Sequence, residues 1–276
     1  SLLKFMSACS IWRQVFGTES LRRLVSLGSP HAQQQSPLFR WHPSRRLSLS
    51  TRYLSSGRKY DGLWGDAAES RSWHSFVKQS RDAERTIASV YQGLDNGHWI
   101  PEEEALVVRE SGGSEVYGEL SPASAVWLMR ELGIGKHDTF FDLGCGTGKL
   151  LIIAALVTEV TKAVGLELSA SRVRVAREAL QRTGLESRCS VLSEDFLTSL
   201  RIEEATVCFC ASTALSDSVV DNLTRRLASF PRLRLWVTLK APSATALEHF
   251  EAAGTLELDT SWSRGTAVRM YRPKQY

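Results

Sequence analysis

The most informative stretch of the sequence is "DLGCGTGK", residues 142–149, which lies between two apolar runs. Gly144, Gly146 and Gly148 let the backbone turn sharply and approach a ligand without a side-chain clash. A Walker-type phosphate loop would need glycine at position 143 and serine or threonine at position 150, and both positions hold leucine. A dinucleotide fingerprint would need glycine at position 149, which is lysine. The loop therefore indicates a bound ligand, but one whose phosphate group, if it has any, is not what the loop contacts.

Three acidic residues stand where successive β-rich runs end. Asp142 can accept a hydrogen bond from an ammonium group or from loop N–H groups, and it would repel a pyrophosphate. Glu167 follows Gly148 by 19 residues, at the end of the next run, where a carboxylate is the usual acceptor for two ribose hydroxyls. Asp195 and Phe196 follow the third run and suit an adenine, since an acid can accept from its amine and a ring can cover its face.

The elements that must position these residues alternate from residue 120 onward. "TFFDL", "KAVGLEL", "CSVLSED", "ATVCFCAS" and "LRLWVTLKA" are predicted strands separated by helical patterns, and "TLELDTSW" and "TAVRMYRP" form a closing hairpin. This predicts a doubly wound, mostly parallel α/β sheet of seven strands with an antiparallel hairpin at its end. Ligands bind at the carboxyl ends of such strands. Apolar residues at three- and four-residue spacing in 61–100 predict a helical cap ahead of the sheet.

Charge divides the chain into a basic head and an acidic body. Residues 1–60 carry ten Lys/Arg and one acid, whereas residues 61–276 carry 24 Lys/Arg and 29 acids. The Arg- and Ser-rich head is typical of a mitochondrial transit peptide, and a nuclear-type basic arm or a tail that touches nucleic acid are the alternatives. We expect a disordered leader at 1–60, a helical cap at 61–116 and the catalytic domain at 117–276. No apolar run reaches the length of a membrane span, and the cysteines and histidines show no metal-ligand spacing.

One segment upstream of the glycine loop narrows the interpretation. "EVYGELS", residues 115–121, places Tyr117 25 residues before Asp142, and "EDF" follows the third strand. With the D-x-G-x-G-x-G loop and the closing "SW…GTAV" hairpin, it resembles the non-SET histone-lysine methyltransferases of the disruptor-of-telomeric-silencing family, over roughly residues 85–276. These are class I, Rossmann-like enzymes that depend on S-adenosylmethionine. The implied cofactor-binding residues are Tyr117, Glu119, Ser121, Asp142, Gly144, Gly146, Thr147, Gly148, Lys149, Glu167, Leu168, Asp195, Phe196 and Ala211.

The resemblance implies methylation of a protein lysine, which must lose its proton before it attacks. At pH 7 that deprotonation costs about 4.6 kcal/mol, and a narrow apolar channel beside a positive sulfur lowers the cost. We expect Tyr117, Ser212 and Trp262 at the catalytic site, with Trp262 as a channel wall or as simple core. Family members carry an asparagine after the fourth strand, where this chain has Ala211.

The loss of that amide leaves three functions open. The first is a monomeric lysine methyltransferase that acts on a histone or a mitochondrial protein. The second is a methyltransferase for RNA or a small molecule, although an acidic body disfavours RNA. The third is a cofactor-binding assembly factor without turnover. Direct binding of nucleic acid stays open.

Overall fold

The structure is a computed structural model that describes residues 67–274, so the predicted leader lies outside the described residues. Seven strands form one sheet in the order β3-β2-β1-β4-β5-β7-β6. Strands β1 to β5 are parallel, and β7 runs antiparallel to both of its neighbours. Their bounds are β1 Thr139–Leu143, β2 Lys162–Leu166, β3 Cys189–Leu192, β4 Val207–Cys210, β5 Leu235–Thr238, β6 Phe250–Leu258 and β7 Thr266–Pro273. The predicted fold class, including the closing antiparallel hairpin, is confirmed.

The helices of the described residues are α1 Ala67–Val90, α2 Glu102–Glu110, α3 Pro122–Leu132, α4 Lys149–Val157, α5 Ala170–Thr183 and α6 Asp217–Leu227. Their ends follow from local chemistry. Ser121 caps α3 by accepting a hydrogen bond from the Ser124 amide, and Ser169 caps α5 in the same way. Gly133 and Gly184 end these two helices in left-handed backbone. None of the helices in residues 67–274 is long and apolar enough to cross a membrane.

The sheet separates two apolar layers because successive strand residues face opposite sides. Phe140 and Phe209 pack with α1, α3, α4 and α5 on one face. Phe141, Cys208 and Cys210 pack with α6 on the other face. The two cysteines are fully buried, as the apolar run around them predicts. All five residues of β1 are buried, which fixes the glycine loop that follows it.

Two segments differ from the sequence-based prediction. The segment predicted as a helical cap holds two helices, since α1 ends at Val90 and α2 follows at 102–110, beyond the apolar spacing of residues 61–100 that indicated a helix. The predicted strand at 255–262 begins earlier, at Phe250, and ends at Leu258. Its last residues turn away because they bond to another segment: the Ser261 amide donates to Glu119 O at 2.8 Å, and the Ser121 amide donates to Asp259 O at 2.9 Å. This pairing holds the segment 117–121 against the hairpin.

Candidate active site

A cleft opens at the carboxyl ends of β1, β4 and β5. Residues from the glycine loop, the 117–121 segment and the closing hairpin meet there, although they are far apart in sequence. Its walls are Tyr117, Gly118, Glu119, Leu120, Ala125, Asp142, Gly144, Cys145, Lys149, Leu150, Ile153, Phe209, Ala211, Leu239 and Trp262. Seven residues predicted for the site from the sequence thus line one cleft.

The glycine loop has the backbone that its spacing predicts. Gly144, Gly146 and Gly148 have φ angles of 78°, 54° and 84°, in the left-handed region that favours glycine. A side chain at Gly146 would overlap the ring of Tyr117, whereas a Cβ on Gly144 would meet no atom within 4 Å. The loop is therefore closed over by Tyr117 at its centre and faces open space at its start.

Asp142 is a buried carboxyl in the lining of the cleft. Its residue is only 4% exposed, and its carboxyl makes none of the hydrogen bonds found among the described residues. Burial, together with the charge of Glu167, raises the pKa of this carboxyl to about 8. A buried carboxyl without a donor fits a cationic ligand, because an ammonium group would supply both the charge and the hydrogen bonds.

Glu167 lies beside the cleft, with both carboxylate oxygens directed at backbone. One oxygen accepts from the Gly146 amide at 3.0 Å and the other from the Ser169 amide at 2.9 Å. The Arg172 guanidinium lies 4.0 Å from the second oxygen. Each carboxylate oxygen can accept more than one hydrogen bond, so ribose hydroxyls can add to these contacts. The geometry makes Glu167 a support for the glycine loop, and its role as ribose acceptor stays a prediction.

Arg172 is a buried charge that sequence reasoning missed. It is 3% exposed, and its guanidinium donates to Gly97 O at 2.9 Å and to Glu115 O at 2.6 Å. It also lies 4.8 Å from the centre of the Tyr117 ring. One side chain thus holds both ends of the segment 97–115 next to Glu167. No local pattern in the sequence marks this arginine, since its partners are backbone carbonyls more than 50 residues away.

Tyr117 and Glu119 connect the 117–121 segment to the glycine loop. The Tyr117 hydroxyl donates to the Glu119 carboxylate and accepts from the Thr147 amide at 3.1 Å. Lys149 pairs with the other oxygen of Glu119 at 2.7 Å. Burial and the neighbouring Glu119 charge raise the pKa of Tyr117 well above its usual value, so the phenol stays protonated. Tyr91, which sequence reasoning also missed, donates to Thr147 O at 2.6 Å.

Trp262 and Ala211 are apolar residues of the same cleft lining. A Cβ on Gly118 would overlap the Trp262 ring, so the two residues are in close contact. Ser212 does not provide the polar group expected of it. It is fully buried, its hydroxyl bonds to Thr238 Oγ1 at 2.6 Å, and it accepts from the Lys240 amide at 2.9 Å. The prediction of Ser212 at the catalytic site is therefore corrected: its hydroxyl joins the loops after β4 and β5.

Nine predicted residues are absent from the cleft lining: Gly146, Thr147, Gly148, Glu167 and Ser212, described above, and Ser121, Leu168, Asp195 and Phe196. Asp195 accepts from the Leu197 amide at 2.7 Å, and Phe196 packs at the margin of the second core cluster. Ser121 is the cap of α3, and Leu168 is half-buried in the turn after β2. These positions keep their predicted roles as expectations. Among residues 67–274, no three histidine, cysteine, aspartate or glutamate side chains are grouped as metal ligands.

The helix α2 is fixed to the same edge of the sheet by Glu104. Its carboxylate accepts from the Ser169 hydroxyl at 2.6 Å and from the Ser171 amide and hydroxyl at 3.0 and 2.7 Å. Burial opposes the ionisation of Glu104, but these hydrogen bonds outweigh it and lower the pKa. Pro101 followed by three glutamates was the available signal for a helix start.

Comparisons with known proteins agree with this geometry. Residues 97–229 match the family described as "Histone methylation protein DOT1". The chain is 36% identical over 88 residues to a protein-lysine N-methyltransferase of Saccharolobus islandicus, a match that covers 32% of this chain and 54% of that relative. It is 45% identical over 56 residues, 20% of this chain, to the "Histone-lysine N-methyltransferase, H3 lysine-79 specific" of Caenorhabditis elegans.

A third relative matches over a longer stretch. A ribosomal protein L11 methyltransferase of Xanthomonas axonopodis is 27% identical over 218 residues, which cover 74% of this chain and 68% of the relative. The chain spans about half of the archaeal relative and 6% of the nematode one. The matched family region contains the glycine loop, the three strand-end acids and Tyr117. The expected resemblance to this family is confirmed over residues 97–229, which hold all of the cleft lining except Leu239 and Trp262.

Proposed function

We propose that this chain, a class I seven-strand methyltransferase by fold that resembles the DOT1 family, transfers a methyl group from S-adenosylmethionine to the side-chain nitrogen of a protein lysine. The observation that carries the proposal is the cleft itself. A left-handed glycine loop and the buried, unpartnered carboxyl of Asp142 line it together with the apolar residues Ala211 and Trp262. The loop and the carboxyl fit a cationic amino-acid cofactor, and the apolar residues fit an uncharged acceptor.

The residues present fit the cofactor. Asp142 offers a carboxyl to an ammonium group, and Lys149, which pairs with Glu119, offers an ammonium to a carboxylate. Glu167 is the proposed acceptor for ribose hydroxyls, and Asp195 with Phe196 for the adenine. When bound, S-adenosylmethionine supplies a methyl group on a positively charged sulfur.

The chain's own contribution to catalysis is positioning and exclusion of water. Tyr117, held by Glu119 and Thr147, covers the glycine loop and keeps its proton, so it is a donor or a wall and not a base. Trp262, Phe209 and Leu239 surround the acceptor side with apolar surface. Such surroundings disfavour an ammonium and so lower the cost of obtaining the neutral amine. Orientation of the two reactants then supplies much of the rate.

Ala211 favours a second candidate function. The family carries an asparagine where this chain places Ala211 on the cleft wall, and Ser212 beside it is committed to Thr238 and Lys240. With no amide at this position, a cofactor-binding protein without turnover is the alternative that the geometry supports. The two functions share the cofactor and differ only in the transfer step.

The Arg- and Ser-rich head supports a mitochondrial location, with a nuclear location as the alternative, and hence a mitochondrial protein or a histone as substrate. Imaging of the full tagged chain tests this proposal. A nuclear signal would contradict the mitochondrial location without affecting the reaction.

The reaction is tested by incubating the full chain and methyl-labelled S-adenosylmethionine with mitochondrial and nuclear extracts. We expect label in protein, recovered as methyl-lysine after hydrolysis, and none with the Asp142→Asn variant. Label in RNA or small molecules alone would contradict lysine transfer. If no label is transferred although the chain binds S-adenosylhomocysteine, the second candidate is correct.

A further inference from the structure

Acidic charge and exposed apolar surface are concentrated in one segment, residues 95–116. This segment carries six acids and one arginine, whereas the rest of the body, residues 61–94 and 117–276, carries 23 acids and 23 Lys/Arg. It also holds four of the six large apolar side chains that are exposed among the described residues: Trp99 at 82%, Leu106 at 50%, Val107 at 51% and Val116 at 43%. The acidity of the body therefore arises from this segment alone.

The helix α2 arranges part of this surface as a defined face. Glu103, Leu106, Val107 and Glu110 are spaced three, four and seven residues apart and share one side of the helix. All four are exposed, whereas Ala105 and Val108 on the other side are buried. Glu103 and Glu110 form no ion pair among the described residues. The outer face of α2 is thus an apolar centre with an unpaired carboxylate at each end.

Side-chain contacts fix α2 at the edge of the sheet where the cleft opens. Glu104 bonds α2 to Ser169 and Ser171 at the start of α5. Arg172 binds Gly97 O and Glu115 O and so fixes both ends of the segment. Two residues after Glu115, Tyr117 enters the cleft wall. A macromolecule that rests on α2 is therefore placed at the same edge of the sheet as the cleft.

We propose that the outer face of α2 is the docking surface for the protein that carries the acceptor lysine, and that the docked segment is basic with an apolar residue between its basic ones. This inference rests on the proposed function and adds the substrate class. Opposite charges steer a basic segment to Glu103 and Glu110, and Leu106 and Val107 bury its apolar residue. RNA would be repelled by the same carboxylates. A second copy of this face would bring like charges together.

The test uses two labelled 15-residue peptides with a central lysine and a leucine, one flanked by arginines and the other by glutamates. Binding to the full chain, saturated with S-adenosylhomocysteine, is measured by fluorescence anisotropy. We expect the basic peptide to bind at least about tenfold more tightly than the acidic one, with an affinity that falls as salt rises. Glu103→Gln with Glu110→Gln, and separately Leu106→Ser, should weaken it by about fivefold or more.

The matched controls are Glu186→Gln and Leu200→Ser, which change an exposed acid and an exposed apolar residue outside the segment. Equal binding of the two peptides, or equal losses in the α2 and control variants, would overturn the proposal. It is also overturned if the peptide binds only after the head arginines are replaced by glutamine, since the chain's own head would then occupy the face. A failure of the proposed function is seen separately, as absence of methyl-lysine with docking intact.

Discussion

Replacement of Asp142 by asparagine should stabilise the protein without its cofactor while removing cofactor binding. Asp142 is buried at the end of β1, lines the cleft, and has a pKa raised to about 8. In the unfolded chain an aspartate titrates near pH 3.9. Between these two values the folded protein therefore binds one more proton than the unfolded chain, and its stability falls as the pH rises. Asparagine has nearly the same shape as the protonated acid and carries no such cost.

The size of the effect follows from the shift. From pH 5 to pH 8.5, the contribution of Asp142 to the free energy of unfolding falls by about 4 kcal/mol. The fall is about 1.4 kcal/mol for each pH unit between the unfolded and the folded pKa. We therefore expect the difference in free energy of unfolding between Asp142→Asn and the parent protein to be larger at pH 8.5 than at pH 5 by this amount. Comparison of the two proteins at each pH cancels the titration of all other groups.

Urea unfolding at pH 5 and pH 8.5, followed by tryptophan fluorescence, measures the difference. Calorimetric titration with S-adenosylmethionine in two buffers of different ionisation enthalpy measures binding and proton release together. The parent protein should release a proton as the cation binds, because the ligand's charge favours the Asp142 carboxylate. A stability difference that is the same at both pH values, or a variant that binds the cofactor as tightly as the parent, would refute the reasoning.

Three further substitutions separate cofactor positioning from stability. Gly146→Ala should raise the KM for S-adenosylmethionine by about tenfold or more, whereas Gly184→Ala, with a similar left-handed backbone but no neighbour within 4 Å, should lower only the Tm. Arg172→Met should raise the same KM at nearly constant kcat. Arg188→Met also frees two backbone carbonyls, but at the other edge of the sheet, and should leave this KM unchanged. An equal rise of KM in the Arg172 and Arg188 variants would contradict the positioning role of Arg172. Ser212→Ala should lower the free energy of unfolding by about 1–3 kcal/mol because it leaves buried partners unsatisfied, with cofactor affinity retained. A large loss of cofactor affinity in Ser212→Ala would instead indicate that Ser212 belongs to the binding site.

The sequence by itself determined the fold class and the location of the cleft. Hydrophobic alternation and cap residues such as Ser121 and Gly133 depend on local backbone preferences, which act over a few residues. The left-handed glycine loop after β1 is equally local, because only glycine adopts those φ angles without strain. Since parallel strands place their carboxyl ends at one edge, Asp142 and Ala211 were expected to meet, and both line the cleft.

Only the tertiary structure decided which side chains are free to act. Ser212 was eligible by type, yet contacts with Thr238 and Lys240, 26 and 28 residues away, remove its hydroxyl from the cleft. The sequence did not indicate the role of Arg172, because its partners are the backbone carbonyls of residues 97 and 115. Every residue carries such a carbonyl, so the residue types at these positions give no sign of the contact. Periodicity reports which face of an element is buried, but long-range hydrogen bonds depend on how the elements are packed together. The same packing fixed α2 to the start of α5 through Glu104.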